Sequence, residues 1–215
     1  MEIVKDKTYD LWRAALDFVK TEGVDYRDNE GRTCREVSNL VLVLKNSVVG
    51  VDVPIDTMKK SKKWIYPSKD ELSNIMFKEI QVPIYEYTYG GRIFNFAGQL
   101  DQINEFIVPL LRNDSSSRRA VIIVYDPMQD SQAINRNTPS IIYLNFRIKD
   151  HLLHLSAHIR SNDLFFGFPS NIYQLAKLLD FVSKELGVAN GSISIISNSA
   201  HLFLEDLQDI EEVLI

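Results

Sequence analysis

Between His158 and Ile172 the chain reads HIRSNDLFFGFPSNI, which sets Arg160, Ser161, Asp163 and Asn171 among Leu164, Phe165, Phe166 and Phe168. The apolar side chains want burial, so the polar groups between them need partners. Arg offers planar, forked donors that match phosphate oxygens two at a time, and Ser161 adds a hydroxyl. Other guanidinium groups stand at the ends of apolar runs or in turns: Arg118 and Arg119 before AVIIVY, Arg32 and Arg35 in a glycine-bearing loop. Singly, each reads as a surface or ion-pair residue; together with Ser161 they are consistent with one anion site. Asn171 either caps the helix that follows it or, with one acceptor and two donors, reads the edge of a uracil-like ring. Asp163 needs a donor partner in its apolar surroundings.

Other chemistry is excluded or weak. His151, His154 and His158 do not make a metal site, because on a strand only His154 and His158 share a face and no acidic or thiol ligand accompanies them. His201, alone among small and apolar residues in NSAHLF, reads from composition as a structural histidine. The chain has no Walker loop, dinucleotide fingerprint or nucleophile elbow, and YGGR (Tyr89–Arg92) is not a phosphate loop. The patch Lys59, Lys60, Lys62 and Lys63 reads as a solvated loop. A net charge of -5 excludes a global basic field for nucleic acid. The single cysteine, Cys34, forms no intrachain disulfide and fits a reducing compartment. The N-terminus lacks the apolar core of a signal peptide, and no run reaches the ~18 apolar residues of a membrane span. A cytoplasmic protein that binds neither membrane nor nucleic acid is expected.

These residues must be positioned by a mixed set of elements. Helical spacing predicts helices over Tyr9–Thr21 (ended by Gly23), Lys69–Glu79, Leu100–Arg112, Asn171–Leu186 (closed by Gly187) and Glu205–Leu214. Strands are predicted over Leu40–Leu44, Arg119–Tyr125, Ile141–Ile148, Leu152–Ile159 and Ser192–Ser197, with a hairpin at Lys149-Asp150. Asp28–Arg35 reads as a loop and Asn46–Ser68 as irregular. The length and pattern imply one α+β domain over residues 1–215, a mixed twisted sheet flanked by helices rather than a doubly wound one.

Arg160, Ser161, Asp163, Gly167, Pro169 and Asn171 resemble the Arg-Ser-x-Asp, Gly-x-Pro-x-Asn pattern of the thymidylate synthase and hydroxymethylase family. YGGR, LDQINEFIVPLLRNDSSSRRAVIIVYDP and NSAHLF resemble, in order, its Tyr-Gly segment, its helix, turn and double-Arg strand, and its His-x-Tyr motif. The short C-terminus is similar to archaeal-type and hydroxymethylase-like members. The resemblance implies that Arg160 and Ser161 grip the 5′-phosphate of a pyrimidine nucleotide and that Asn171 pairs with a uracil-type ring. It implies that His201 faces the sugar, that Arg32 is a mobile-loop phosphate ligand, and that Tyr89 relays protons. It also implies a homodimer joined sheet to sheet, with Arg118 and Arg119 reaching the other subunit's site and the exposed face of the RAVIIVY and IIYLNF strands covered by the partner. Methylenetetrahydrofolate is the implied cofactor, and no metal.

The chain departs from the family where the chemistry is done. The family's nucleophilic Cys aligns with Ser140 in NTPSIIYLNF, and a hydroxyl is far less acidic than a thiol. Phe203 stands in place of Tyr, which removes one sugar contact, and Ile159 stands where many members have Gln. No motif selects the catalytic Glu between Glu71 and Glu79, and Cys34 is not a substitute nucleophile by position. Three functions are compatible with the resemblance. One is one-carbon transfer at C5 with Ser140 as nucleophile and Tyr89 and Asp163 assisting. Another is a catalytically altered or inactive nucleotide-binding homologue, such as a regulatory or partner subunit, and the third is a different nucleotide-modifying reaction on the same scaffold.

Overall fold

A computed structural model of the chain describes residues 1–60, 65–78, 87–132 and 137–214. The strands are β1 (Glu2–Lys5), β2 (Val24–Arg27), β3 (Thr33–Leu44), β4 (Val121–Ile123), β5 (Ile141–Lys149), β6 (Leu152–Asp163) and β7 (Ala189–Phe203). The helices are α1 (Thr8–Glu22), α2 (Val53–Lys60), α3 (Lys69–Phe77), α4 (Tyr89–Phe94), α5 (Val108–Asn113), α6 (Pro127–Asp130), α7 (Gly167–Leu186) and α8 (Leu207–Leu214). The strands form one seven-stranded sheet in the order β1-β3-β7-β6-β5-β4, with β2 also on β3. Pairs β1–β3 and β6–β7 are parallel and the others antiparallel. This is the expected mixed α+β sheet, and the hairpin between β5 and β6 turns through Asp150 and His151, both at positive φ. No helix among the described residues is long and apolar enough to cross a membrane.

One face of the sheet carries the core. Helix α1 packs on β1 and β3, and α7 on β6 and β7. Leu11, Trp12, Ala15, Leu16 and Val19 of α1, and Ile172, Leu175, Leu178, Leu179 and Val182 of α7, are fully buried. Gly187 at φ 69° closes α7 in the left-handed region that favours glycine. The other face, with Val41, Val43, Tyr143, Ser156, His158, Ser194 and Ile196, is half-exposed within this chain.

Several boundaries differ from the sequence reading, for definite reasons. Asn46–Ser68 is not irregular throughout: α2 lies inside it, with Pro54 in its first turn, where a missing N–H costs nothing. Lys59 and Lys60 form its last turn, favourable for cations; Lys62 and Lys63 lie outside the described residues. The loop Asp28–Arg35 ends early, because β3 begins at Thr33. Strands β1 and β2 were not expected. Leu100–Arg112 opens as a π-turn over Gln102–Ile107, capped by Asp101; Val108 N–H reaches back to Ile103 just before Pro109, which has no N–H to continue the ladder.

Strands β6 and β7 run past their predicted ends, and the alternation shifts phase there. In β7, Ile193, Ile195 and Ser197 are fully buried, then Ala200 and Leu202. In β6 the buried row Leu153, Leu155, Ala157 and Ile159 passes to Asn162. In β3, Leu44, Leu42 and Leu40 give way to Val37 against the core and Arg35, whose guanidinium donates to Lys20 O at the end of α1. Leu40 and Ile159 both pair with Ser197, so the three shifts lie at one level. Beyond it Glu36, Ser161, Asp163, Ser199 and His201 share the face opposite α1.

Candidate functional site

A cleft of about 480 Å³ opens at this end of the sheet. Tyr89, Ser140, Asp163 and Asn171 line it together with Tyr66, Leu72, Phe166, Ser170 and Gln174. The first four arrive from different parts of the fold.

Tyr89 opens α4. Thr88 Oγ1 accepts from Gly91 N at 3.1 Å and donates to Lys78 O at 2.9 Å, fixing the start of the helix. A Cβ at Gly90 would sit 2.3 Å from Lys78 N, so only glycine lets the two segments meet. Arg92, read in sequence only as the end of YGGR, is a buried anchor: its guanidinium lies 2.8 Å from Asp130 and 3.5 Å from Asp126. Gln102 ties the same helix to the sheet, donating to Arg92 O and Ile123 O.

Ser140 immediately precedes β5. Its carbonyl accepts from Arg160 N–H at 2.9 Å, while the Arg160 side chain donates to Pro139 O at 3.0 Å and Thr138 O at 2.9 Å. Arg160 is exposed at its end.

Asp163 ends β6. Its Oδ1 accepts from Phe165 N–H at 2.9 Å and Phe166 N–H at 3.0 Å, the donors that its apolar setting demanded. Asp163 keeps some accessible surface on the cleft wall, yet protein encloses it on every other side, and that enclosure governs its charge. Burial raises its pKa above the usual carboxylate range, against the lowering influence of those N–H groups, His201 and Arg32.

Helix α7 begins at Gly167, well before Asn171, so Asn171 is not its N-cap. Asp163 performs the local turn chemistry instead. Among the described residues the Asn171 carboxamide has no hydrogen-bond partner, though the residue is only 9% exposed. Next to it, Ser170 Oγ lies 2.5 Å from Tyr66 Oη, and Tyr66 donates to Phe166 O at 2.8 Å. Burial pushes the Tyr66 phenol well above its ordinary range, which makes it a neutral donor and not a base. Sequence reading missed Tyr66, because its segment shows no periodicity, and Ser170 and Gln174, because polar residues inside a helix carry no signal of which way they face.

The remaining predicted residues divide. His201 lies within β7, not after it, in register with Asp163 and Glu36. Ser161 is half-buried opposite Ser199. Arg32 packs 3.8 Å over the Phe203 ring and pairs with Asp28 at 3.2 Å and Glu30 at 3.6 Å. Arg35 is not part of an anion site: it is a strand residue bound to Asp25 at 2.6 Å. Arg118 and Arg119 are exposed before β4 and do not line the cleft of their own chain. Cys34 is buried at 1% exposure, and burial pushes its thiol up, so it is not poised for attack. Glu71 is the N3 partner of Ser68 in a capping box, with Ser68 N–H as the first cause of its lowered pKa; Glu79 lies outside the described residues. His154 bonds Ser192 and His158 bonds Asn198 separately, and the described residues contain no cluster able to hold a metal.

The cleft has side chains able to take a flat heterocyclic ring. Ile65, Pro67, Leu72, Ile75 and Tyr87 supply apolar walls, and Asp163 Oδ2 makes no hydrogen bond within the described protein and can accept from a ring N–H.

Comparison with known proteins places the chain in a family. The family model described as thymidylate synthase matches residues 77–215. A protein of Methanococcoides burtonii, named provisionally as a thymidylate synthase, is 30% identical over 213 residues, 99% of this chain and 94% of its own. One of Methanothermobacter thermautotrophicus, named in the same way, is 31% identical over 219 residues, covering 95% and 94%. A deoxyuridylate hydroxymethyltransferase of Bacillus phage SP01 is 34% identical over 123 residues, 53% of this chain and 31% of its own. A family match over more than half of the chain, with relatives 30% identical over nearly its whole length, identifies this protein as a member of the thymidylate synthase family.

Proposed function

We propose that the cleft binds a pyrimidine nucleoside 5′-monophosphate and transfers a one-carbon unit to C5 of a uracil-type ring. The observation that carries this reading is the convergence of Tyr89, Ser140, Asp163 and Asn171 on one cleft, with the Asn171 carboxamide unpartnered among the described residues. Its Oδ1 accepts from a ring N3–H and its Nδ2 donates to O4. Arg160, Ser161 and Arg32 take the phosphate and His201 faces the sugar. Ser140 Oγ gives its proton to water as it adds to C6; the C5=C6 π pair moves to C5, which takes the one-carbon unit, and Tyr89 then relays the C5 proton away as the Oγ–C6 bond breaks and the double bond re-forms. The family normally uses methylenetetrahydrofolate, which supplies the one-carbon unit when bound.

Two copies of the chain complete the site in this reading. The half-exposed face with Val41, Val43, Tyr143 and Ile196 meets its counterpart, and Arg118 and Arg119 reach the phosphate of the other subunit. Light scattering at micromolar concentration is expected to give a dimer; a monomer contradicts the shared site.

The test of the chemistry is tritium release from 5-tritiated deoxyuridine or uridine monophosphate with the folate present. Release is expected, and none with any pyrimidine nucleotide overturns the transfer reaction. One observation favours a second reading, a nucleotide-binding homologue without turnover: no described base hydrogen-bonds the Ser140 hydroxyl. In that case a nucleotide raises the melting temperature without releasing tritium. Saturation at one hundred times Kd is worth about 2.7 kcal/mol, which a thermal shift reads easily.

A further inference from the structure

Beyond the phase shift in the sheet, Glu36, Ser199 and His201 form a chain of contacts that no sequence motif marks. Ser199 Oγ lies 2.5 Å from Glu36 Oε2 and 3.3 Å from His201 Nδ1. Glu36 Oε1 is also 3.4 Å from Ser38 Oγ. His201 is 7% exposed, and its Nε2 has no hydrogen-bond partner among the described residues.

The direction of the chain follows from the donors available. An ionised carboxylate only accepts, so the single Ser199 proton goes to Glu36, in a short charge-assisted bond. Ser199 Oγ then has only lone pairs left for His201. A neutral imidazole that meets an acceptor at Nδ1 must carry its proton there. Its other nitrogen is left as a pure acceptor.

We propose that Glu36 and Ser199 are positioning residues that hold His201 in the Nδ1–H tautomer and so present Nε2 as an acceptor for a ligand hydroxyl. Resting on the nucleotide reading above, the hydroxyl is that of the sugar, and the site selects ligands that have one to donate. Phe203 sharpens this dependence. It has no hydroxyl to share the contact, and its ring lies 5.3 Å from that of His201.

The test uses the ¹⁵N-labelled full chain and a long-range ¹H–¹⁵N spectrum, with the His201 signals assigned by their loss in H201Q. In the wild type, Nδ1 is expected to be protonated and Nε2 pyridine-like. In E36Q the Gln amide can donate to Ser199, which frees the Ser199 proton for Nδ1 and moves the ring proton to Nε2. In S199A the preference relaxes to a mixture. Protonated Nε2 in the wild type, or an unchanged Nδ1–H tautomer in both variants, overturns the relay. Calorimetry with deoxyuridine monophosphate and its 3′-deoxy analogue gives the second readout. The wild type is expected to prefer the hydroxylated ligand by roughly fivefold to tenfold, the worth of one hydrogen bond. The ratio is expected to approach one in E36Q; an undiminished ratio there overturns the proposal. If neither nucleotide binds, the nucleotide reading fails, while the tautomer spectra still decide the relay.

Discussion

Arg160 holds Ser140 from two directions: its backbone N–H donates to the Ser140 carbonyl at 2.9 Å, and its guanidinium donates to Pro139 O and Thr138 O. The residue that faces the phosphate in our reading therefore also fixes the segment that carries the candidate nucleophile. Arg160→Ala is expected to weaken nucleotide binding by at least about tenfold, since hydrogen bonds to charged groups are worth roughly 1.5–3 kcal/mol. Losing the bonds to Pro139 O and Thr138 O is expected to cost about 0.5–1.5 kcal/mol each in stability, a modest fall in melting temperature. Calorimetry and a thermal melt on the same variant separate the two effects.

Ser140→Cys installs a thiol with an ordinary pKa near ~8.5, far easier to ionise than a hydroxyl. Tritium release is expected to rise at least tenfold, and Ser140→Ala is expected to reduce it to background. Release that persists in the alanine variant removes Ser140 from the chemistry.

Asn171→Asp exchanges a donor-acceptor pair for two acceptors. A uracil-type ring then loses the donor to O4, while a cytosine-type ring gains an acceptor for its amino group. One stranded polar group costs ~1–3 kcal/mol, so preference is expected to swing from uracil toward cytosine nucleotides by about tenfold or more. Paired titrations with the two monophosphates read this directly.

Asp163 carries a pH signature opposite to that of an ion-paired carboxylate. Burial raises its pKa in the folded protein, so the folded state binds a proton more tightly than the unfolded chain. Its cost to stability is absent below the unfolded pKa. The cost grows as pH rises toward the folded pKa and is complete above it. Asp163→Asn keeps an acceptor for Phe165 and Phe166 N–H and removes the buried charge. The variant is expected to melt higher than the wild type at pH 8, with the difference vanishing near pH 3. A difference that grows on acidification is the contrary result.

Arg92 offers a stability test remote from the chemistry. Its ion pairs with Asp126 and Asp130 are almost fully enclosed, so Arg92→Ala strands two buried carboxylates. A loss of about 3–5 kcal/mol in chemical denaturation is expected. Simultaneous Asp126→Asn and Asp130→Asn changes should recover part of it.

Part of the cleft was legible in the sequence: Asp163 and Asn171 sit in an apolar run where unpaired polar groups are costly, and both line the cleft, whereas Arg160 and Ser161 are not among its lining residues. The apolar period marked α1 and the core half of α7, and Gly187 marked the helix end. Tertiary structure decided which polar residues meet. Strands β6 and β7 looked short in sequence because their last residues turn to the opposite face at the phase shift near Asn39, whose φ is 57°, and alternation reveals a strand only while one face stays covered. Glu36, Ser199 and His201 meet, and Arg35 is diverted to Asp25, through pairings across the sheet that no local pattern encodes. Asn171 is placed in the same way: once Asp163 accepts from Phe165 and Phe166 N–H, the helix begins before Asn171, whose carboxamide lines the cleft without a hydrogen-bond partner among the described residues.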